Sequence, residues 1–361
     1  MNMTQTPLFP LILLTVYLLG TNPTFTQNAN PLPESLRKYK PTSIGDLAKK
    51  ISAESKKDSD RIALIYNWIT DNIRYDVQQT NSLELSLSQA TITEKAFKSR
   101  KAVCEGYAGL MDSLSVLVGI PTHLVNGYTL ILDKIDPTPH VWVASYIEGK
   151  WMLSDPTWGS GTMVNNRFVK EYDPKFFLVK PEEMIKTHFP YDPLWQFMAS
   201  PITHEAILNR KMNQRLTNYY LHHGDSLKRY SSASSVQQID MELQRIQSLY
   251  VPHSALNERL NYLQNASNTN QYNQSIRLLN SIAQTFNQAV AAYNEYAVSH
   301  NQNQQNKRIK INTAQLVQAK ILMEKCLQQL TENTYPENLI DQAQKVQKSV
   351  LELKAKIDSS R

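Results

Sequence analysis

Cysteine is nearly absent from the 361-residue chain: only Cys104 and Cys326 occur, which excludes a disulfide scaffold. The two lie in segments of very different character and are expected to be free thiols. Glycine and proline run out along the chain. Seven of the ten glycines fall between Gly106 and Gly161, the last is Gly224, and only Pro252 and Pro336 follow Pro201. Beyond that point the turn-formers that a compact β or α/β fold needs are missing, so a helical region is expected there. Charge of one sign is not in large excess. The net charge is +6 and the pI near 9.0, with basic residues scattered and nearly matched by acidic ones. No nucleic-acid footprint follows, only loose association with anionic surfaces.

An apolar run of membrane-spanning length is also missing. Leu8 to Leu19 has signal-peptide length, although no lysine or arginine precedes it. Export is expected, with residues 1–26 as a signal peptide cleaved near Thr26. No cysteine follows the run to carry a lipid, so the mature protein is expected to have no integral membrane span. Internal repeats, a phosphate-binding glycine loop and a calcium loop are absent. His222 and His223 point about 100° apart on a helix and gain no third ligand, so they read as surface residues. Neither a metal nor a cofactor is expected.

What is present is ordinary globular composition, 41% hydrophobic and 9% aromatic, on a chain long enough for two domains. The boundary is placed near Pro201 to Lys211, giving domains at 27–204 and 205–361. The second shows three stripes at heptad spacing. Tyr272, Leu279, Ile282, Phe286, Ala289, Tyr293 and Tyr296 form one, and Leu316, Ala319, Met323, Cys326 and Leu330 another. Leu339, Ala343, Val346, Val350, Leu353 and Ile357 form the third. Such stripes require partner helices, within the chain or in a second copy, so an antiparallel bundle with self-association as one option is expected. An earlier helix carries Ile239, Leu243, Ile246 and Tyr250 and stops before Pro252. The Asn/Gln-rich stretch at 300–306 reads as a solvated loop between helices. Cys326, on a stripe, reads as a small core residue.

The chemistry concentrates around Cys104. Tyr107, Leu110, Met111, Leu114, Leu117 and Val118 recur at helical spacing, with Gly119 just past the end and Pro121 preventing continuation. Cys104 therefore falls in a first helical turn, where unsatisfied amides and the helix dipole stabilise a thiolate and a developing oxyanion. Residues 140–159 read as a β-hairpin about Glu148-Gly149, with paired numbers summing to 297. In that register Asp155 is the diagonal neighbour of His140 on one face, about 7–8 Å away by backbone. A three-residue loop would turn Asp155 to the other face. Both faces of the hairpin are otherwise mostly apolar, which suggests a central, buried place. A cysteine, a histidine and an aspartate in these positions supply nucleophile, general base and orienting acid for acyl transfer. His188 and His204 are rival bases, each less well supplied with an orienting acid. Tyr75, Tyr107 and Trp158 are candidates to line the cleft, with aromatic packing as the alternative role.

These residues resemble the transglutaminase-like superfamily, in particular its bacterial kyphoscoliosis-peptidase-like branch. The resemblance covers roughly residues 50–200. It is carried by RIALIYNWITDNIRYD at 61–76, VCEGYA at 103–108, GIP at 119–121, KWMLSDPTWGSG at 150–161 and FFLVKPEEMIKTHFPYDPLWQ at 176–196. One departure is Val143, where the branch often has asparagine after His-Val-Trp. The resemblance implies an α+β, papain-like core with N-terminal helices packed on an antiparallel sheet, followed here by the helical bundle or coiled coil. It also implies Cys104 as nucleophile, His140 as base and Asp155 as orienting acid, a protein or peptide substrate, and a periplasmic or extracellular location. Peptidase or amidase action is favoured over cross-linking. The alternative is a non-catalytic peptide- or glycan-binding scaffold on the same fold.

Overall fold

The computed structural model describes residues 32–79, 88–132, 134–165, 167–214, 223–306 and 313–359. The expected signal peptide lies outside them, as does His222. Among the described residues no helix is long and apolar enough to cross a membrane. The chain falls into two compact units, one drawn from residues 1–124 and 141–180, the other from 125–140 and 181–361.

In the first unit, α1 (Glu34–Arg37), α2 (Ile44–Glu54) and α3 (Asp58–Asn72) lead into β1 (Arg74–Tyr75); α4 (Gln89–Ser99), β2 (Lys101–Ala102) and α5 (Cys104–Leu117) follow. Strands β1 and β2 pair in parallel. Helix α5 buries Tyr107, Leu110, Met111 and Leu114, the stripe expected from spacing, against apolar residues of α2, α3 and α4. Leu117 departs from the expectation and is exposed, because it lies at the edge of that stripe where the helix ends. Gly119 takes φ +84° and closes the helix: its amide donates to Val116 O and that of Ile120 to Ser115 O. Those paired bonds satisfy the last carbonyls and need a left-handed residue between them.

Strands β3 (Thr122–Ile131), β4 (Lys134–Ile147) and β5 (Lys150–Ser154) follow, then β6 (Gly161–Val164) and β7 (Arg167–Lys170), a separate two-stranded hairpin. The main antiparallel sheet has the order β5-β4-β3-β8, its last strand being β8 (His188–Pro190), which comes after the short α6 (Pro181–Met184). The β4–β5 register is Val143 to Ser154 through Ile147 to Lys150, so paired numbers sum to 297 as the sequence suggested. The cause is the two-residue turn: Glu148 and Gly149 both have positive φ, 50° and 79°, the geometry that matches strand twist. The hairpin is less central than its apolar faces suggested. Strand β5 is at the sheet edge, where Leu153 forms an antiparallel bridge with Val179 that covers it.

The second unit continues through α7 (His204–Leu208), α8 (His223–Ser232), α9 (Ser235–Ser248), α10 (Ser254–Asn306), α11 (Thr313–Thr331) and α12 (Glu337–Ser359). Two apolar clusters hold it. One joins Tyr128, Phe189, Tyr191 and Ile207 to Leu243, Ile246, Leu256 and Leu263 of α9 and α10. The other holds α10, α11 and α12 together through Leu279, Ile282, Ala289, Met323, Cys326, Leu339, Val350 and Ile357, the three expected stripes. Tyr272 is an exception and is exposed. Residues 300–306 are not a loop: they are the last turns of α10, 53 residues long. Nothing in that stretch breaks a helix, since it lacks glycine and proline and its glutamines propagate one well.

Helices α9 and α10 run antiparallel, as shown by Arg259 pairing with Glu242 at 2.6 Å and Ser267 donating to Asp240 at 2.6 Å. Arg245 of α9 grips Asp192 with Nε and Nη2, at 2.8 and 2.6 Å. Asp192 follows β8 and also accepts the Leu194 amide. The 188–196 stretch and the helices are thereby one structural body.

Candidate functional site

Cys104 is the first residue of α5, preceded by Val103 in extended conformation. It is half-buried and unpaired with Cys326, which is itself buried. Two glycines fix where α5 begins against its neighbours. A Cβ on Gly106 would stand 2.5 Å from Ala102 Cβ and 2.9 Å from Ala96 Cβ, and one on Gly109 would overlap Gln89 and Thr93. One turn beyond the cysteine, Tyr107 is fully buried. Its hydroxyl donates to Ile73 O at 3.0 Å and receives Ser160 Oγ at 3.2 Å. Burial raises the Tyr107 phenol well above its ordinary range, so it remains a neutral hydrogen-bonding group.

Asp155 has no exposed surface. Its Oδ1 accepts the amides of Thr157 at 2.8 Å and Trp158 at 3.2 Å, and its own amide donates to Phe176 O at 2.8 Å. Carboxylates that accept backbone amides in this way hold a turn rigid. Tyr66 of α3 donates to the Asp155 carbonyl at 3.3 Å, and Gly159 must be glycine because an added Cβ would overlap the Tyr66 hydroxyl. Gly159→Ala is therefore expected to destabilise the protein by about 1–3 kcal/mol through overpacking, read as a lower urea midpoint at unchanged slope. Trp158 is partly exposed and meets Phe176 edge to face; Tyr75 is likewise half-buried and packs near Phe168.

His140 lies on β4, one peptide bond from Val141. The rings of His140 and His188 are 5.6 Å apart by centroid, and one ligand-type atom from each of His140, Asp155 and His188 lies within 4.8 Å of the others. The side chains of His140 and Asp155 thus come near one another, while the β4–β5 ladder itself ends at Val143 and Ser154. Cys104 is not one of this group of three.

His188 is a β8 residue, 1% exposed, paired opposite Thr129 of β3, with Thr187 Oγ1 at 2.8 Å from its Nδ1. The Thr-His-Phe-Pro context gave no sign that β8 would join the sheet beside β3. His204, the other rival, is structural. Its Nε2 donates to Tyr191 O at 2.8 Å, which leaves Nδ1 to accept from the Tyr128 hydroxyl at 2.9 Å, and burial pushes its pKa down to about 4.

Residues 45–156 match the transglutaminase-like superfamily, a span that includes Cys104, His140 and Asp155 and ends before His188. That span is a transglutaminase-like domain, on a mixed fold of helices and antiparallel sheet. Over 169 residues, 44% of this chain and 25% of the relative, the sequence is 30% identical to kyphoscoliosis peptidase of Homo sapiens. It is also 22% identical over 230 residues to hillarin of Drosophila melanogaster, covering 58% and 27% of the two chains. The chain thus spans about a quarter of the length of these curated relatives. A solved structure of a candidate cysteine protease from Cytophaga hutchinsonii is 25% identical over 32% of this chain and 36% of that one, with a TM-score of 0.27, too low to carry residue correspondences.

Proposed function

We propose that the protein is an exported cysteine acyl transferase acting on amide bonds of a protein or peptide, with Cys104 as nucleophile, His140 as general base and Asp155 as the acid that orients it. The observation that carries this reading is the proximity of His140 and Asp155 within a transglutaminase-like domain whose Cys104 opens a helix. His140 takes the thiol proton and the thiolate attacks the amide carbonyl. The resulting imidazolium protonates the amine as the C–N bond breaks, leaving a thioester on Cys104. Water, deprotonated by His140, then attacks the thioester and releases a carboxylate and the free thiol. The backbone amide of Cys104 is the proposed oxyanion donor.

The word peptidase in the name of one relative supports hydrolysis over cross-linking. The apolar run Leu8 to Leu19 supports export. The triad is tested by iodoacetamide labelling of Cys104, followed by peptide mass spectrometry, with N-acetylcysteine in the same tube as the reference thiol. Cys104 is expected to react about 10-fold or more faster than the reference near neutral pH, and His140→Ala to abolish the advantage. Equal labelling of both proteins at the reference rate would overturn the catalytic reading in favour of a binding scaffold.

A further inference from the structure

We propose that Arg74, Arg100, Lys101 and Lys170 form a basic strip that binds an acidic peptide segment and delivers it to Cys104; the delivery half of this statement rests on the acyl-transfer reading above. The strip and Cys104 belong to the first unit alone. In the parallel pairing of β1 with β2, Arg74 stands opposite Lys101. Two exposed cations therefore share one face of a strand pair whose backbones are about 4.8 Å apart, and like charges at paired strand positions repel. Arg100 adjoins them, its carbonyl accepting the Arg74 amide at 3.0 Å. Lys170 of β7 donates to the carbonyl of Asp71. Partial desolvation and the charge of Arg74 hold its ammonium below the ordinary range, with Asp71 acting against them.

The acids of the unit leave this charge in place. Among the described residues no carboxylate forms an ion pair with Arg74, Arg100, Lys101 or Lys170. Asp76, just past β1, caps a turn: its Oδ1 accepts the amides of Gln78 at 3.1 Å and Gln79 at 3.3 Å. Arg100 is the most specific part of the strip. It closes α4 at φ 58°, a left-handed position that favours glycine, and its guanidinium lies over the rings of Phe97 at 4.4 Å and Trp68 at 4.7 Å. Its Nη1 is buried with no hydrogen-bond acceptor. An unpaired buried donor is costly, and a carboxylate is the partner that a guanidinium fork fits best.

Strand β2 runs straight into the nucleophile. Val103 is extended, so the three residues from Lys101 to Cys104 span about 10 Å at about 3.3 Å each. An extended peptide with its reacting carbonyl at Cys104 reaches the strip with a side chain about three residues away. The favoured substrates are therefore peptides with aspartate or glutamate at that distance from the reacting amide. Phosphate groups of a lipid surface would meet the same charge, but the position of the strip beside the thiol of an amide-directed domain favours the peptide.

The full chain carrying Cys104→Ala, which cannot turn a peptide over, is titrated by fluorescence anisotropy with a fluorescein-labelled glycine-serine dodecapeptide bearing consecutive glutamates, glutamines or lysines. The glutamate peptide is expected to bind about 10-fold or more tighter than the glutamine peptide at low salt, and the difference to shrink as NaCl is raised. Adding Arg74→Gln/Lys101→Gln is expected to abolish the preference. Adding Lys56→Gln/Lys57→Gln removes the same charge from exposed positions at the far end of α3 from Arg74, about 20 Å of helix away, and is expected to keep it. Equal binding of the three peptides, or a preference lost as fully in the Lys56/Lys57 variant as in the Arg74/Lys101 variant, would overturn the strip. The comparison of peptides needs no strip variant, so a folding defect in one leaves the test intact. Vesicles of phosphatidylglycerol and phosphatidylcholine that bind more tightly than the glutamate peptide, and are lost with Arg74→Gln/Lys101→Gln, would overturn the peptide assignment in favour of a membrane surface. In the wild type the glutamate peptide is expected to slow iodoacetamide labelling of Cys104 by about 2-fold or more, and binding that leaves labelling unslowed would overturn delivery. Labelling that never depended on His140 would instead sink the triad and leave the strip to the anisotropy.

Discussion

Asp155→Asn is expected to lower turnover of p-nitrophenyl acetate at Cys104 by about 10²–10⁴-fold, the range that general-base catalysis contributes, with the fold retained. Asparagine keeps an oxygen where Oδ1 accepts the Thr157 and Trp158 amides, so the turn after β5 stays capped. What it removes is the negative charge beside His140. Without that charge the imidazolium formed in each step is less stable, and the amide group can present an N–H that selects the wrong imidazole tautomer. His140→Ala is expected to fall in the same range and the double variant little further, because residues acting as one unit are not additive. Cys104→Ser is expected to eliminate the thioester altogether. The measurements are p-nitrophenolate release and intact-protein mass, the first for rate and the second for the acetyl adduct. A double variant whose loss multiplies the two single losses would show that Asp155 and His140 act independently, against a shared role.

The parts of this arrangement legible in the sequence are those set by local rules. A two-residue turn with Glu148 and Gly149 fixes the β4–β5 register as far as Val143 and Ser154, and Asp155 is the next residue. Helix α5 is legible from apolar spacing, its start and end from Cys104 and Gly119, and the bundle core from stripes that recur every three or four residues. His188 is a different case. It reaches the group 33 residues after Asp155 through the antiparallel pairing of β8 with β3, and a three-residue strand carries no pattern that names its partner. The length of α10 was hidden for a related reason. Asparagine and glutamine at 300–306 read as solvated, and Asn301, Gln302 and Gln304 are exposed, but exposure on a helix surface and exposure in a loop look alike in composition. Tyr107 was a cleft candidate by proximity to Cys104 in sequence, yet on α5 its side chain enters the core shared with Ile73 and Ser160.

Arg245→Ala is expected to cost about 3–5 kcal/mol of stability above neutral pH, the usual consequence of stranding one member of a buried ion pair. Asp192 is 1% exposed at its side chain and Arg245 13%, so little water replaces the lost guanidinium. Burial already outweighs Arg245 and holds the Asp192 carboxyl above its usual range; removing the cation raises it further. The sign of the pH dependence follows. Above the ordinary carboxyl pKa of about 3.9, the unfolded chain has released the proton that the folded variant keeps, so the folded state binds more protons and stability falls as pH rises towards the folded pKa. The deficit relative to wild type is therefore expected to be small near pH 4.5 and to widen towards pH 8, measured as urea midpoints across that range. Asp192→Asn in the Arg245→Ala background removes the titrating group and is expected to flatten this dependence and recover part of the loss. A deficit that is constant with pH would place the cost elsewhere, in the lost packing of the Arg245 guanidinium over the Tyr230 ring, 5.8 Å from its centroid, and the Asp192→Asn addition would then recover nothing.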